Sequence, residues 1–447
     1  MATATGMAGA VGPWWAGSDG VMRGGVGGKV QDLAALYGVQ LVTTLLPLLT
    51  VPFLARTLGP GTWGALAVAQ AFGGLVGLLV DYGFELSATR EAARVRDDRE
   101  RLAELLAGVL GAKVLLALAG LGLAGLAGAL VPPLREHPAL LWASVGWGLA
   151  QASGLLWFFQ GLERVSKPAL LDVGAKLLAT AGILLLVRRP EDAWMVPALT
   201  GAATLLAAGA ALRLAYREVP YRSPTLGAAV GTLRLGWTLF LFRGSAAFYS
   251  TASAFLLGLL VPTQAVGYYA GAERIVRAAQ GLLAPLSRVL YPRFSRAAGA
   301  GVGATRALLP SGLRLMAGAG LGLSLLTWLA APLLVGVLLG PGFEPAVPVL
   351  RALAALPLVI ALNIVFGLLW LVPLGHDRAF NGTVAAGALV NAGLIVALVP
   401  RYGPLGMAGA VLLTEVAVGA ALYVLYRRTL PPARPAGTAR SPEAVEG

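Results

Sequence analysis

Apolar runs of about twenty residues or more, parted by short polar stretches, recur along the chain between Leu33 and Tyr426. A helix needs about 20 mostly apolar residues to cross a hydrocarbon layer roughly 30 Å thick. Twelve segments meet that need: 33–55, 63–85, 102–130, 139–160, 168–187, 194–215, 237–261, 266–286, 309–339, 347–372, 379–399 and 405–426. Lipid offers no hydrogen bonds to the backbone, so a crossing segment satisfies itself as a helix or joins a closed barrel. Runs this long predict helices, and the pattern as a whole predicts an all-α polytopic membrane protein.

The most polar internal stretch, around YREVPYRSPT, lies between the sixth and seventh segments and divides the chain into six and six. The halves share a short match: GALAVAQ, 64–70, aligns with GYYAGAE, 267–273, at an offset of 203. With an even number of spans in each, duplicated halves keep the same orientation, and in transporters built this way the path runs between them. The division expected is a disordered tail over 1–30, a six-helix lobe over 31–215, a cytoplasmic linker over 216–235, a second lobe over 236–428 and a disordered tail over 429–447. The first tail shows no basic region ahead of an apolar core, so no cleaved signal peptide is expected.

Composition agrees with the pattern: 57% of residues are hydrophobic and 12% charged. The net charge of +13 is unevenly placed. Alternate loops carry clusters such as Arg90, Arg94, Arg96, Arg99 and Arg101, whereas the intervening loops hold only Arg56, Arg135, Arg188, Arg189 and Arg401. This asymmetry orients a membrane protein with its basic loops, and here both termini, in the cytoplasm. The charge therefore points to topology and lipid heads, and no nucleic-acid partner is expected. Cysteine is absent and the two histidines, His137 and His376, fall in separate loops, which leaves no thiolate or histidine metal site. With no phosphate-binding loop and no catalytic constellation, neither an enzyme nor a cofactor is expected.

Charged groups inside a span are costly and usually face a bundle interior or a water-filled cavity. Lys113, Lys176, Arg243, Arg274 and Arg277 fall deep in the segments; Arg314 and Arg351 lie nearer the ends and can snorkel. The second segment gathers Gln70, Gly73, Gly74, Gly77, Asp81 and Glu85 on one face, and the fifth pairs Asp172 with Lys176 four residues on. In the eighth, Tyr269, Glu273, Arg277 and Gln280 recur at four, four and three, while Arg274 stands about 100° off that stripe. Such stripes suit the wall of an aqueous lumen. Guanidinium forks bind phosphate oxygens bidentately, so Lys113, Lys176, Arg243, Tyr269, Arg274, Arg277 and Gln280 are candidate ligands for an anionic cargo, and a diphosphate head on a lipid would fit. Asp81, Glu85, Glu273 and Glu415 are candidates for ion coupling.

Four ordered stretches carry a resemblance: TTLLPLLTVPFLARTLGPGTWGALAVAQ (43–70), LLVDYGFELSATREAARVRDD (78–98), WFFQGLERVSKPAL (157–170) and GYYAGAERIVRAAQGLLAPLSRVLYPRFSR (267–296). The chain resembles bacterial polysaccharide biosynthesis proteins that act as O-antigen-type flippases. Their superfamily also holds multidrug and toxic compound extrusion antiporters and peptidoglycan lipid flippases. The resemblance implies two six-helix lobes in a V-shaped bundle that works by alternating access in the inner membrane. The implied cargo is an undecaprenyl-diphosphate-linked oligosaccharide, carried from the cytoplasmic to the outer leaflet, with a polysaccharide polymerase and a chain-length regulator as partners beside membrane lipids. Residues matching the family's motifs are Arg56, Asp81, Glu85, Arg90, Lys113, Gln160, Glu163, Arg274 and Arg293. Peptidoglycan flippases commonly have fourteen spans, which argues against lipid II as cargo. Two other readings stand beside this one: a cation-coupled multidrug exporter, disfavoured by so many intramembrane arginines, and a non-transporting scaffold in glycan assembly.

Overall fold

The computed structural model describes residues 26–430, with the side chains of 26–48, 235, 237–239 and 241–250 outside that description. The expected tails lie almost wholly outside the described residues, although helix already begins at Val26 and runs to Thr429. No strand occurs among the described residues.

The first half contains α1 (Val26–Asp81), α2 (Phe84–Arg94), α3 (Arg99–Leu130), α4 (Pro132–Arg135), α5 (Pro138–Ala152), α6 (Leu156–Gly161), α7 (Ser166–Leu186) and α8 (Met195–Glu218). The second contains α9 (Leu226–Gly258), α10 (Thr263–Gly281), α11 (Ala284–Gly299), α12 (Val302–Leu329), α13 (Ala331–Leu338), α14 (Ala346–Leu353), α15 (Leu356–Asn363) and α16 (Asp377–Thr429). A π-helical stretch, Ile364–Leu371, continues α15. Eight helices among the described residues are long and apolar enough to cross a membrane. That figure treats two runs as unbroken. In α1 the helix is interrupted at Gly59 (φ 69°, ψ 169°) and in α16 at Gly403 (φ 54°, ψ −126°), conformations that glycine adopts without strain. At Gly403 the chain reverses: Asn391 Nδ2 donates to Thr414 Oγ1 at 3.1 Å, and Gly387 faces Val418.

The stretch expected as a linker, 216–235, is mostly helix. Thr225 accepts from the Ala228 amide at 3.2 Å and so caps the start of α9 ahead of the predicted segment. Only 219–225 is left between α8 and α9. The first turns of α9 then lie on α3, where Gly111 meets Pro224 and Ala229, so this helix packs on the first half before joining the second.

Breaks recur at matching places. The second helix of the first half is interrupted at Tyr82 (φ 48°) and Gly83 (φ 73°), and its counterpart at residues 282–283. The fourth is interrupted between Ala152 and Leu156, and its counterpart between Leu353 and Leu356.

Burial fixes the shape. One apolar core, running from Leu54 to Val76 and on through Val266, Leu339 and Met407, is shared by both halves at the end of the bundle where Gly59 lies. At the other end the core splits in two: Phe84, Leu106 and Phe158 in the first half, and Phe294, Val365 and Trp370 in the second. The molecule is thus a V joined at the Gly59 end. Large apolar side chains such as Leu118, Leu185, Leu206, Leu326 and Leu389 stay exposed on its outer faces, as lipid contact requires of a multi-pass membrane protein.

Candidate functional site

The eighth predicted segment is regular helix through α10, so its four-residue spacing survives as a face. Tyr269, Glu273, Arg277 and Gln280 line a cavity of about 200 Å³, which Ser253 of α9, Leu353 and Leu356 of α14–α15, and Val411 and Glu415 of α16 complete. Arg277 Nη2 lies 2.9 Å from Glu273 Oε1, and the Tyr269 hydroxyl donates to the same oxygen at 3.4 Å. Opposite, Asn363 Nδ2 donates to Glu415 Oε2 at 2.9 Å and also reaches the Glu415 carbonyl. Asn363 stands immediately before the π-helical stretch, an irregularity frequent beside functional residues. Sequence spacing could not place it, because Asn363 and Glu415 are 52 residues apart.

The lining is not cationic. It holds two carboxylates and one guanidinium, with hydroxyl and amide groups between apolar walls. The other cations expected in a common lumen are parted by the fold. Lys113 is buried and donates to the carbonyls of Ala152 (2.5 Å) and Gly154 (3.2 Å), where α5 gives way to α6. A helix ending inside a membrane leaves carbonyls without partners, and the ammonium supplies them. Asp81 and Glu85 act on the same ammonium by charge. Lys176 pairs with Asp172 at 2.7 Å on a half-exposed face of α7. The Arg243 side chain lies outside the described residues.

Arg274 faces away from the cavity. Its guanidinium sits 4.2 Å over the Trp63 ring and donates to Gln70 Oε1 at 3.1 Å, joining α10 to α1. The face of α1 read as lumen wall is likewise used for contact: Gly73 and Gly77 press on Ser144 and Gly148 of α5. A Cβ on Gly148 would stand 2.8 Å from the Gly73 carbonyl carbon and 3.3 Å from the Gly77 nitrogen, so two backbones meet with no side chain between them. Small residues serve close packing as well as open lumens, and period alone does not separate the two.

The remaining motif residues are peripheral. Arg56 Nη2 donates to the Val337 carbonyl at 2.7 Å, a second tie between the halves at the Gly59 end. Glu163 takes up a left-handed backbone (φ 59°) in the turn after α6 and meets Arg96 at 3.4 Å. Gln160 is half-buried on α6, and Arg90 and Arg293 are exposed on α2 and α11. Among the described residues no group of three or more His, Cys, Asp or Glu could hold a metal ion.

A model of the family described as "Polysaccharide biosynthesis protein" matches residues 30–298. A protein of Escherichia coli (strain K12) named "Putative O-antigen transporter" is 28% identical over 399 residues, covering 89% of this chain and 96% of that protein. Its namesake from Shigella dysenteriae is 26% identical over 394 residues, covering 87% and 97%. Among solved structures, the lipid II flippase MurJ in an inward closed conformation matches with a TM-score of 0.70 at 14% identity, over 90% of this chain and 88% of that one. An inward-facing multidrug resistance MATE family transporter of the MOP superfamily matches with a TM-score of 0.61 at 14% identity, over 86% and 94%. At such identities the likeness is one of fold.

Proposed function

The chain belongs to the polysaccharide biosynthesis protein family, and from that premise we propose that it is a flippase for a lipid-linked oligosaccharide. The observation that carries this reading is the α10 stripe: a Tyr, a Glu, an Arg and a Gln turned together into a cavity between helices. Planar, bidentate polar groups are what hydroxyl-rich sugars offer partners to. The cargo is an undecaprenyl-diphosphate-linked oligosaccharide. Its sugars pass the cleft, its diphosphate meets Arg277 and the basic groups at the open end, and its tail stays in lipid. Movement runs from the cytoplasmic to the outer leaflet of the inner membrane, for O-antigen, capsule or exopolysaccharide assembly. The Arg-rich open end faces the cytoplasm, as the charge asymmetry favours. The two halves rock by alternating access, with Glu273 and Glu415 exchanging ions as the cleft changes its wetting. A polymerase and a chain-length regulator act on the delivered lipid.

The test is a reconstituted liposome assay with a polyprenyl-diphosphate sugar, run with and without an imposed ion gradient. Wild type moves the lipid, and R277A loses at least tenfold in rate, the worth of one charge-assisted contact of about 1.5–3 kcal/mol. Drug transport without any glycan transport would instead assign the chain to cation-coupled export. Binding of the lipid with no movement would make it a scaffold.

A further inference from the structure

We propose that Arg274 is a latch: it holds the two halves shut at the Gly59 end, and its release from Trp63 and Gln70 lets that end open. The proposal rests on the transport reading above.

The two glycines that head the matched heptapeptides, Gly64 and Gly267, meet each other across the halves. A Cβ on Gly64 would stand 2.7 Å from the Gly267 nitrogen, and one on Gly267 would stand 3.3 Å from the Gly64 nitrogen. Contact between bare backbones is short-ranged and fades within an ångström of separation. It shapes the joint without locking it. Further along, toward the cleft, Arg274 reaches from α10 to Trp63 and Gln70, which lie seven residues apart and so on one face of α1. Trp63 and Gln70 are both neutral, a ring and an amide. A guanidinium held this way is stabilised while closed, yet its release strands no buried carboxylate, which suits a reversible catch. Its neighbour Glu273 faces the cavity with Arg277. One rigid helix therefore presents the cavity wall on one face and the latch on the adjoining one, so cargo that shifts the wall also pulls on Arg274. Arg274 is in this sense a positioning residue and not a ligand for cargo.

The chain has no cysteine, so single cysteines report cleanly. Val68 is fully buried in the joint, facing Gly258 of α9, and Val365 is fully buried in the separate core of the second half. In proteoliposomes without cargo, the rate at which a water-soluble maleimide labels V68C measures how often the joint opens. Adding R274A is expected to raise that rate about tenfold and leave labelling of V365C unchanged. W63L raises it less, because Gln70 still accepts from Arg274, and W63L with R274A gives no increase beyond R274A alone, because the ring contact is already gone. If R274A loosens both sites, R274K, which keeps the charge but loses the flat fork, is read by the same two rates, and a selective rise at V68C supports the latch. Unchanged V68C labelling in R274A overturns it, as does lost glycan transport with V68C labelling unaltered, which would make Arg274 a cargo ligand. The predicted labelling in a protein that moves no glycan leaves the latch standing and removes the flippase reading.

Discussion

Lys113 answers carbonyls that a broken helix would otherwise turn toward nothing. Its depth in an apolar segment marks it as special, and the segment pattern alone suggests a cationic lumen for it. The break between α5 and α6 that gives it work is invisible in the run 139–160, which reads as one apolar segment. At the matching break in the second half it is an amide that finds a partner: the Leu358 N–H donates to Ser324 Oγ at 3.1 Å. K113M keeps the length and removes the donors, leaving buried carbonyls unsatisfied at a cost of about 1–3 kcal/mol. Thermal unfolding in detergent should show lower stability for K113M and partial recovery for K113Q, which retains two donors. Glycan transport per folded molecule should hold. Wild-type stability with transport lost would mean that Lys113 touches cargo after all. The helical period likewise sets Arg274 off its stripe, but its partner Gln70 lies 204 residues away, beyond the reach of any local pattern.

Helix periodicity tells which side chains share a face, and it does so well where the helix is regular. The stripe from Tyr269 to Gln280 was readable for that reason, since α10 runs unbroken from Thr263 to Gly281. What a face looks at is a separate matter. Gln70, Gly73, Gly74 and Gly77 share a face as expected, yet Gly73 and Gly77 meet α5 while Gln70 meets α10. Two glycines on α5 separate the roles experimentally. Gly148 abuts the backbone of α1, whereas a Cβ on Gly146 has nothing within 4 Å. G148A therefore overpacks the α1–α5 contact and should destabilise by about 1–3 kcal/mol. G146A should be neutral or stabilise by up to about 1 kcal/mol through helix propensity. Unfolding midpoints of the two variants, measured side by side, check this; equal effects would mean that α1 and α5 do not touch here.

For the whole molecule, the V follows from how the apolar surface is shared. The joint core at the Gly59 end uses residues of both halves, while at the far end the second half's core closes on its own residues and the first half's core takes in only α9, through Ala229, Leu233 and Phe240, so apart from α9 the far end can part. The same end gathers the charges: Arg99 donates to the Glu218 carbonyl at 2.6 Å, Arg164 pairs with Glu218 at 2.8 Å and Arg222 with Glu100 at 2.5 Å. Exposed ion pairs of this kind stabilise little, so their value to the fold is small and their value as a topological signal is large. A basic loop resists translocation during insertion, which favours the placement proposed above, with these arginines inside. The absence of native cysteine makes this directly measurable. R217C and R296C, near the open end, should react with an impermeant maleimide only after the membrane of right-side-out cells is opened. R135C, R189C and R401C, at the Gly59 end, should react in intact cells. The reverse labelling would invert the molecule, place the wide mouth of the V on the outer leaflet, and require cargo to enter from the side to which it is proposed to be delivered.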